Sequence, residues 1–273
     1  MKYTWKDWKW TLIALIPVLI LIIPIYFVLI SGFETVEEIY HQPPYLVPPN
    51  PTLQYYADAW TTLNHYLMNS VVISVGVLIL TIVVAAPAAF ALAKLNLRGE
   101  KTVSFLMALV QMLPVTTVVI PLFLIFFKLK LINTHVGVIL GISAFTIPFS
   151  VILLTAYMRS MPWGLIEAAR IDGASLFTIF VRIVMPICKP ALSTAGMLAL
   201  LNAWGDFIFA ISFLQERSLQ PMSVGLYSFI GQYGTQWNLL MAGSMIYSLP
   251  VIIVVTLAGK GLVSGLTAGA FKE

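Results

Sequence analysis

EAARIDGASLFTIFVRIVMPICKPAL, residues 167–192, sets two arginines, a lysine, a glutamate, an aspartate and two prolines between apolar runs long enough to cross a bilayer. Just before it, Met161-Pro162 opens a helix with proline near its first position, and Trp163 to Ile171 continue it. Gly173 closes that helix, because the residue after a helix commonly takes the left-handed backbone that glycine tolerates best. A second helix is predicted from about Ser175, with Leu176, Phe177, Ile179, Phe180, Ile183 and Val184 apolar, ending near Pro186. A short helix, a sharp turn and a returning helix make a projection that another protein can grip. Periodicity alone leaves a plain connecting loop equally open.

Outward from this stretch the chain is apolar. Of its 273 residues 60% are hydrophobic and 10% charged, against roughly 25% charged in soluble domains, and its mean hydropathy is +0.95. Most of its surface therefore faces lipid or other apolar surface. Six stretches reach the roughly 20 apolar residues a spanning helix needs: 10–30, 67–93, 105–127, 136–157, 191–214 and 239–258. Lys2, Lys6 and Lys9 precede the first, which is too long for a signal-peptide core and lacks a small-residue cleavage site, so it reads as a span that stays.

Six spans put both termini on one side. With the termini in the cytoplasm, the basic residues of the ends and inner loops, Arg170, Arg182 and Lys189 among them, lie inside, and Lys128, Lys130 and Arg217 lie outside. The positive-inside rule favours that orientation. Residues 159–190 are then a cytoplasmic loop between spans four and five, and the loop bearing Glu34, Glu37, Glu38 and Asp58 faces outward. In that outer loop Pro43, Pro44, Pro48, Pro49 and Pro51 argue for extended chain. Leu53, Tyr55, Tyr56, Trp60 and Leu63 suggest an interfacial amphipathic helix. The expected class is an all-α integral membrane protein, 1–273 forming a single transmembrane domain.

Catalytic equipment is missing. The Gly259-Lys260 pair lacks the spacing of a phosphate-binding loop. His41, His65 and His135 have no second ligand at metal spacing, so no metal site is expected. No block of like charges suggests nucleic acid, and the single cysteine, Cys188, excludes an internal disulfide. Asp206, the one carboxylate within a span, needs an account. A structural cap or inter-subunit hydrogen bond, a pathway or gate role shared with Asn202, and ion coupling in a self-sufficient secondary transporter all remain open.

Glu167-Ala168-Ala169, Gly173 four positions later, then Ile183 and Pro186, resemble the EAA signature of ABC importer permeases, with Met185 where leucine is usual. Other stretches resemble the carbohydrate-import branch, maltose-transporter-like permeases paired with a second homologous permease. They are Pro43-Pro44, Pro49, Thr52-Leu53 and Asn69-Ser70; Trp204-Gly205-Asp206-Phe207, where Gly205 is often asparagine; and Gly265 to Ala270, followed by Phe271 in place of valine. The resemblance implies that Glu167, Ala168, Ala169, Asp172 and Gly173 belong to a coupling helix docking on a separate ATP-binding subunit, and that the tail Gly265 to Glu273 touches it too. It further implies a second permease, two ATPase subunits holding ATP and magnesium, an extracytoplasmic solute-binding protein, a sugar-like solute, and a bacterial or archaeal cytoplasmic membrane. The chain itself would bind no cofactor.

Overall fold

The computed structural model describes residues 5–231 and 234–270, with side-chain surroundings over 10–231 and 234–257. Lys2, Lys6, Lys9, Lys260 and Lys272 of the orientation argument, and the carboxyl-terminal signature with its suggested ATPase contact, lie outside the residues whose side chains are described. The chain divides into two compact units: one runs to Asn64 and takes in Gly225–Pro250, the other comprises His65–Val224 and continues from Val251. Among the described residues four helices are long and apolar enough to cross a membrane, or up to six spans result if each of two bent helix pairs counts once.

In the first unit α1 (Trp5–Ser31) carries Pro17 and Pro24 within an unbroken helix. From Trp10 onward its side chains are mostly apolar and mostly exposed, as suits a helix whose solvent is lipid. The loop that follows is knitted by one carboxylate. Thr35 and Glu38 form a capping box at the start of α2 (Val36–Ile39). Glu38 Oε2 accepts from the Thr35 N–H at 3.0 Å, and Oε1 accepts from the backbone and side-chain N–H groups of Asn50 at 3.0 and 2.9 Å. The Thr35 N–H foremost, helped by Asn50, holds this carboxyl below the usual carboxylate range. A lowered folded value means that the ionised form supports the loop, and this support is lost as pH falls through the folded value. Glu38→Ala is therefore expected to raise amide exchange across 35–50 about tenfold at neutral pH. Wild type should show the same loosening only as pH falls below the usual carboxylate range. Equal exchange in both proteins at neutral pH would refute this.

The amphipathic stretch expected at the interface is not a separate helix. It forms the first turns of α3 (Gln54–Lys94), a 41-residue helix about 61 Å long, and Ala59 and Leu63 on its apolar face are buried. Against a hydrocarbon core of about 30 Å, α3 reaches well beyond one span.

The third apolar run also differs from one straight span. It folds as α4 (Glu100–Met112) and α5 (Val115–Lys128), bent by 103°. Pro114 disfavours helix at the residue before it, and Leu113 is extended (φ −76°, ψ 127°). The fourth run is the continuous α6 (His135–Ser160). Residues 161–188 follow with α7 (Gly164–Ile171), α8 (Leu176–Ile179), a π-helical turn Phe180–Val184 and α9 (Met185–Ile187). A 79° bend at Cys188 then leads into α10 (Lys189–Trp204). The fifth run does not continue to 214 as one helix: it breaks over 205–207 and resumes as α11 (Ile208–Phe213). Beyond a 3₁₀ turn, Arg217–Leu219, come α12 (Met222–Tyr227), a two-residue antiparallel pair β1 (Ile230–Gly231) and β2 (Gly234–Thr235), and α13 (Trp237–Ala270). The protein is thus mostly helical, with a small hairpin that the hydropathy pattern does not register.

The second unit has two apolar clusters. One joins Ala85, Ala86 and Ala89 of α3 to Val151, Leu154 and Met158 of α6, Ile166 and Ala169 of α7, Cys188, and Ala191 and Ala195 of α10. The other centres on Ile73, Val77, Ile142, Phe209 and Phe213. Alanines at these contacts let backbones approach closely, which is how helices gain packing energy where water supplies no drive. Thr81 and Thr146 hydrogen-bond across α3 and α6 at 2.9 Å. Asn69 donates to the carbonyls of Ser218 and Gln220, and Ser70 accepts the Met222 N–H. Those two side chains thus fix residues 218–222 against α3.

Candidate coupling and pathway sites

The segment around α7 is built by capping chemistry. Pro162 holds Met161 extended (φ −69°, ψ 136°), ending α6. The Met161 carbonyl then accepts a 2.8 Å hydrogen bond from the buried Lys94 ammonium at the end of α3. That ammonium also lies 5.7 Å from the Trp163 ring, within cation–π range, and sits favourably at the negative end of the α6 dipole. Cys188 Sγ approaches Met161 Sδ at 3.5 Å. The start of the segment that carries α7 is thereby fastened to α3 and to the root of α10.

α7 has two faces. Ile166 and Ala169 are buried, whereas Glu167, Ala168, Arg170 and Ile171 are exposed. Gly173 follows with φ +78°. Its N–H donates to Arg170 O at 3.0 Å and the Ala174 N–H to Ala169 O at 2.9 Å, the paired bonds of a Schellman turn. Ser175 then caps α8 by accepting the Thr178 N–H at 3.2 Å. Of the residues expected in the coupling helix, Glu167, Ala168 and Asp172 share the open side, Gly173 makes the turn, and Ala169 packs inward. Among the described residues Glu167, Arg170 and Asp172 enter no ion pair, while Arg159 and Glu100 do at 3.3 Å.

Asp206 and Asn202 part company. Asp206 lies in the break between α10 and α11, where Oδ2 accepts the Ala210 N–H at 3.0 Å and the backbone carbonyl accepts Ser223 Oγ at 2.6 Å. This is helix-capping geometry. Asn202, exposed on α10, lines a cavity of about 240 Å³ with Gln111, Phe145, Thr146, Phe149, Ser150, Leu198 and Ala199. Its Nδ2 donates to Leu198 O, and Gln111 Nε2 donates to Phe145 O, each at 2.8 Å. Both NH₂ groups are thus engaged, while the two amide oxygens remain as acceptors, and burying an acceptor in hydrocarbon without a donor is costly, so this face is poorly suited to lipid. Sequence reasoning passed over Gln111 and Lys94. Gln111 had a readable signal as the one carboxamide in an otherwise apolar run, whereas the role of Lys94 depends on a carbonyl 67 residues away.

A family model described as binding-protein-dependent transport system inner membrane component matches residues 82–266. The sulfoquinovosyl glycerol transport system permease protein SmoH of Agrobacterium fabrum is 33% identical over 91% of this chain and 88% of its own length. The melibiose/raffinose/stachyose import permease protein MelC of Bacillus subtilis is 29% identical over 96% and 95%. The arabinooligosaccharides transport system permease protein AraQ of Halalkalibacterium halodurans is 31% identical over 75% and 72%. Among solved structures, a chain of a bacterial ABC transporter importing the acidic polysaccharide alginate superposes with a TM-score of 0.79 at 21% identity, over 95% of this chain and 99% of that one. A chain of the MetNI methionine ABC transporter gives 0.63 at 15% identity, over 77% and 98%.

Proposed function

Because the chain belongs to the family of binding-protein-dependent transport system inner membrane components and is a permease subunit of an ABC importer, we propose that it carries a sugar or sugar-like solute and takes its driving force through α7. It crosses a bacterial or archaeal cytoplasmic membrane six times, each bent helix pair counting as one span, with both termini in the cytoplasm and 1–273 acting as one permease domain. It works beside a second, homologous permease, two ATPase subunits that bind ATP and magnesium, and an extracytoplasmic solute-binding protein. Closure of the ATPases moves α7 as a rigid body and switches the pathway between inward and outward openings.

The observation that carries this reading is the build of α7: an open face with Glu167 and Asp172 unpaired, a fixed glycine turn, and a buried Lys94 clamp at its root. The sugar class is supported by the sugars and oligosaccharides in the relatives' names. Ion coupling through Asp206 is disfavoured, because its carboxylate is engaged in capping α11. The test is purification of the tagged chain from its native membrane in mild detergent, wild type beside Glu167→Lys. Wild type is expected to bring down an ATPase that the variant loses, since the charge reversal places a cation where a carboxylate met its partner. No ATPase with either form would overturn the proposal.

A further inference from the structure

We propose that the cavity between α4, α6 and α10 is a subsite for one neutral sugar ring of the transported solute, so that this subunit contacts its cargo directly. The proposal rests on the importer reading and adds to it a place and a chemistry. Because only an NH₂ group can donate to a carbonyl, the hydrogen bonds of Gln111 to Phe145 O and of Asn202 to Leu198 O fix both amide orientations. Each amide oxygen is left as an acceptor. Two acceptors, the Ser150 hydroxyl and the rings of Phe145 and Phe149 thus line one hollow.

A sugar ring offers the matching pair of surfaces, hydroxyls that donate to amide oxygens and C–H faces that lie against aromatic rings. No ionisable side chain lines the cavity, so nothing there offsets the desolvation of a carboxylate or phosphate. The volume, about 240 Å³, falls below the roughly 300 Å³ at which ordinary ligand pockets begin. It suits a single ring and not an oligosaccharide. Few contacts also mean weak binding, which passage through a pathway requires.

The test uses the full transporter in nanodiscs, in a Cys188→Ala background, with reporter cysteines that spare both amides, Leu198→Cys and, on the facing wall, Thr146→Cys. A charged methanethiosulfonate reports water access and a lipophilic maleimide reports lipid access. Ile120→Cys, on the exposed side of α5, serves as the comparison and should react with the maleimide alone. Both cavity variants are expected to react with the charged reagent. Glucose, melibiose or raffinose should slow that reaction saturably, to about a tenth of its rate at the highest concentration, while glucuronate leaves it unchanged. Labelling without protection by any of the three sugars, or equal protection by glucuronate, would overturn the neutral-ring assignment. Reaction with the maleimide alone would assign the face to lipid, and reaction with neither would assign it to the partner permease; both overturn the proposal. Loss of the ATPase from the wild-type preparation would count against the importer reading instead, with the labelling still readable.

Discussion

Gly173→Val is expected to abolish ATP-driven solute uptake while the chain still inserts and assembles. A Cβ at Gly173 meets no atom within 4 Å, so there is no clash to relieve. The cost is in the backbone: at φ +78° an L-residue pays about 1–2 kcal/mol, and a β-branched one sits further outside its allowed region. The turn escapes this strain by opening, which breaks the bonds from Gly173 and Ala174 back to α7 and changes the angle at which α7 meets α8. On the coupling role proposed for α7, an altered angle misdirects the motion passed on from the ATPase. Gly173→Asn, which tolerates the left-handed region better, should keep most of the uptake. Uptake assayed beside ATP hydrolysis separates uncoupling from loss of assembly, and normal uptake by Gly173→Val would remove the turn from the mechanism.

Gly137→Ala should damage folding and not coupling. In the first turn of α6 an added Cβ would lie 2.2 Å from the Leu131 carbonyl oxygen, an impossible contact with an atom that cannot rotate away. That carbonyl is also held by the Thr134 hydroxyl at 2.7 Å, and Thr134 in turn accepts the Gly137 N–H at 3.1 Å. The loop before it is fixed by left-handed residues at Lys130 and Asn133. Relief therefore means shifting the start of α6, at the upper end of the roughly 1–3 kcal/mol typical of overpacking, or beyond it. Membrane abundance should fall several-fold. Gly164→Ala, where a Cβ enters open space, should leave abundance at the wild-type level. Matching abundance and thermal stability for the two variants would sink the argument.

Much of this architecture was legible because each cue acts locally. Uninterrupted apolar length located α1, α6 and the membrane portion of α13, and the Met161-Pro162 and Gly173 signals bounded α7 to within a residue or two. The failures came where distant packing decides. Pro17, Pro24, Pro87, Pro121, Pro148 and Pro250 all sit inside continuous helices, whereas Pro114 marks a 103° bend; nothing in the residue itself distinguishes it. Asp206 reads as a carboxylate within a span because its surroundings are apolar, and the break over 205–207 is visible only once its bond to Ala210 is seen. The stretch from Leu53 to Leu63 was read for a membrane surface; Leu53 and Trp60 are indeed exposed, whereas Leu63 is buried, so its apolar positions divide between the protein interior and its surface. Ala169 was grouped with Ala168 by motif, yet its spacing three residues after Ile166 already placed it on the inward stripe.

The neutral lining of the α4, α6 and α10 cavity has an electrical consequence. Moving one elementary charge through the full membrane voltage changes its energy by about 2.3 kcal/mol per 100 mV, and amides, hydroxyls and phenyl rings carry no net charge. If the proposed alternation moves this wall, these side chains contribute no gating charge to it, and a neutral sugar ring lodged among them adds none, so any voltage dependence of import has to arise from charges elsewhere.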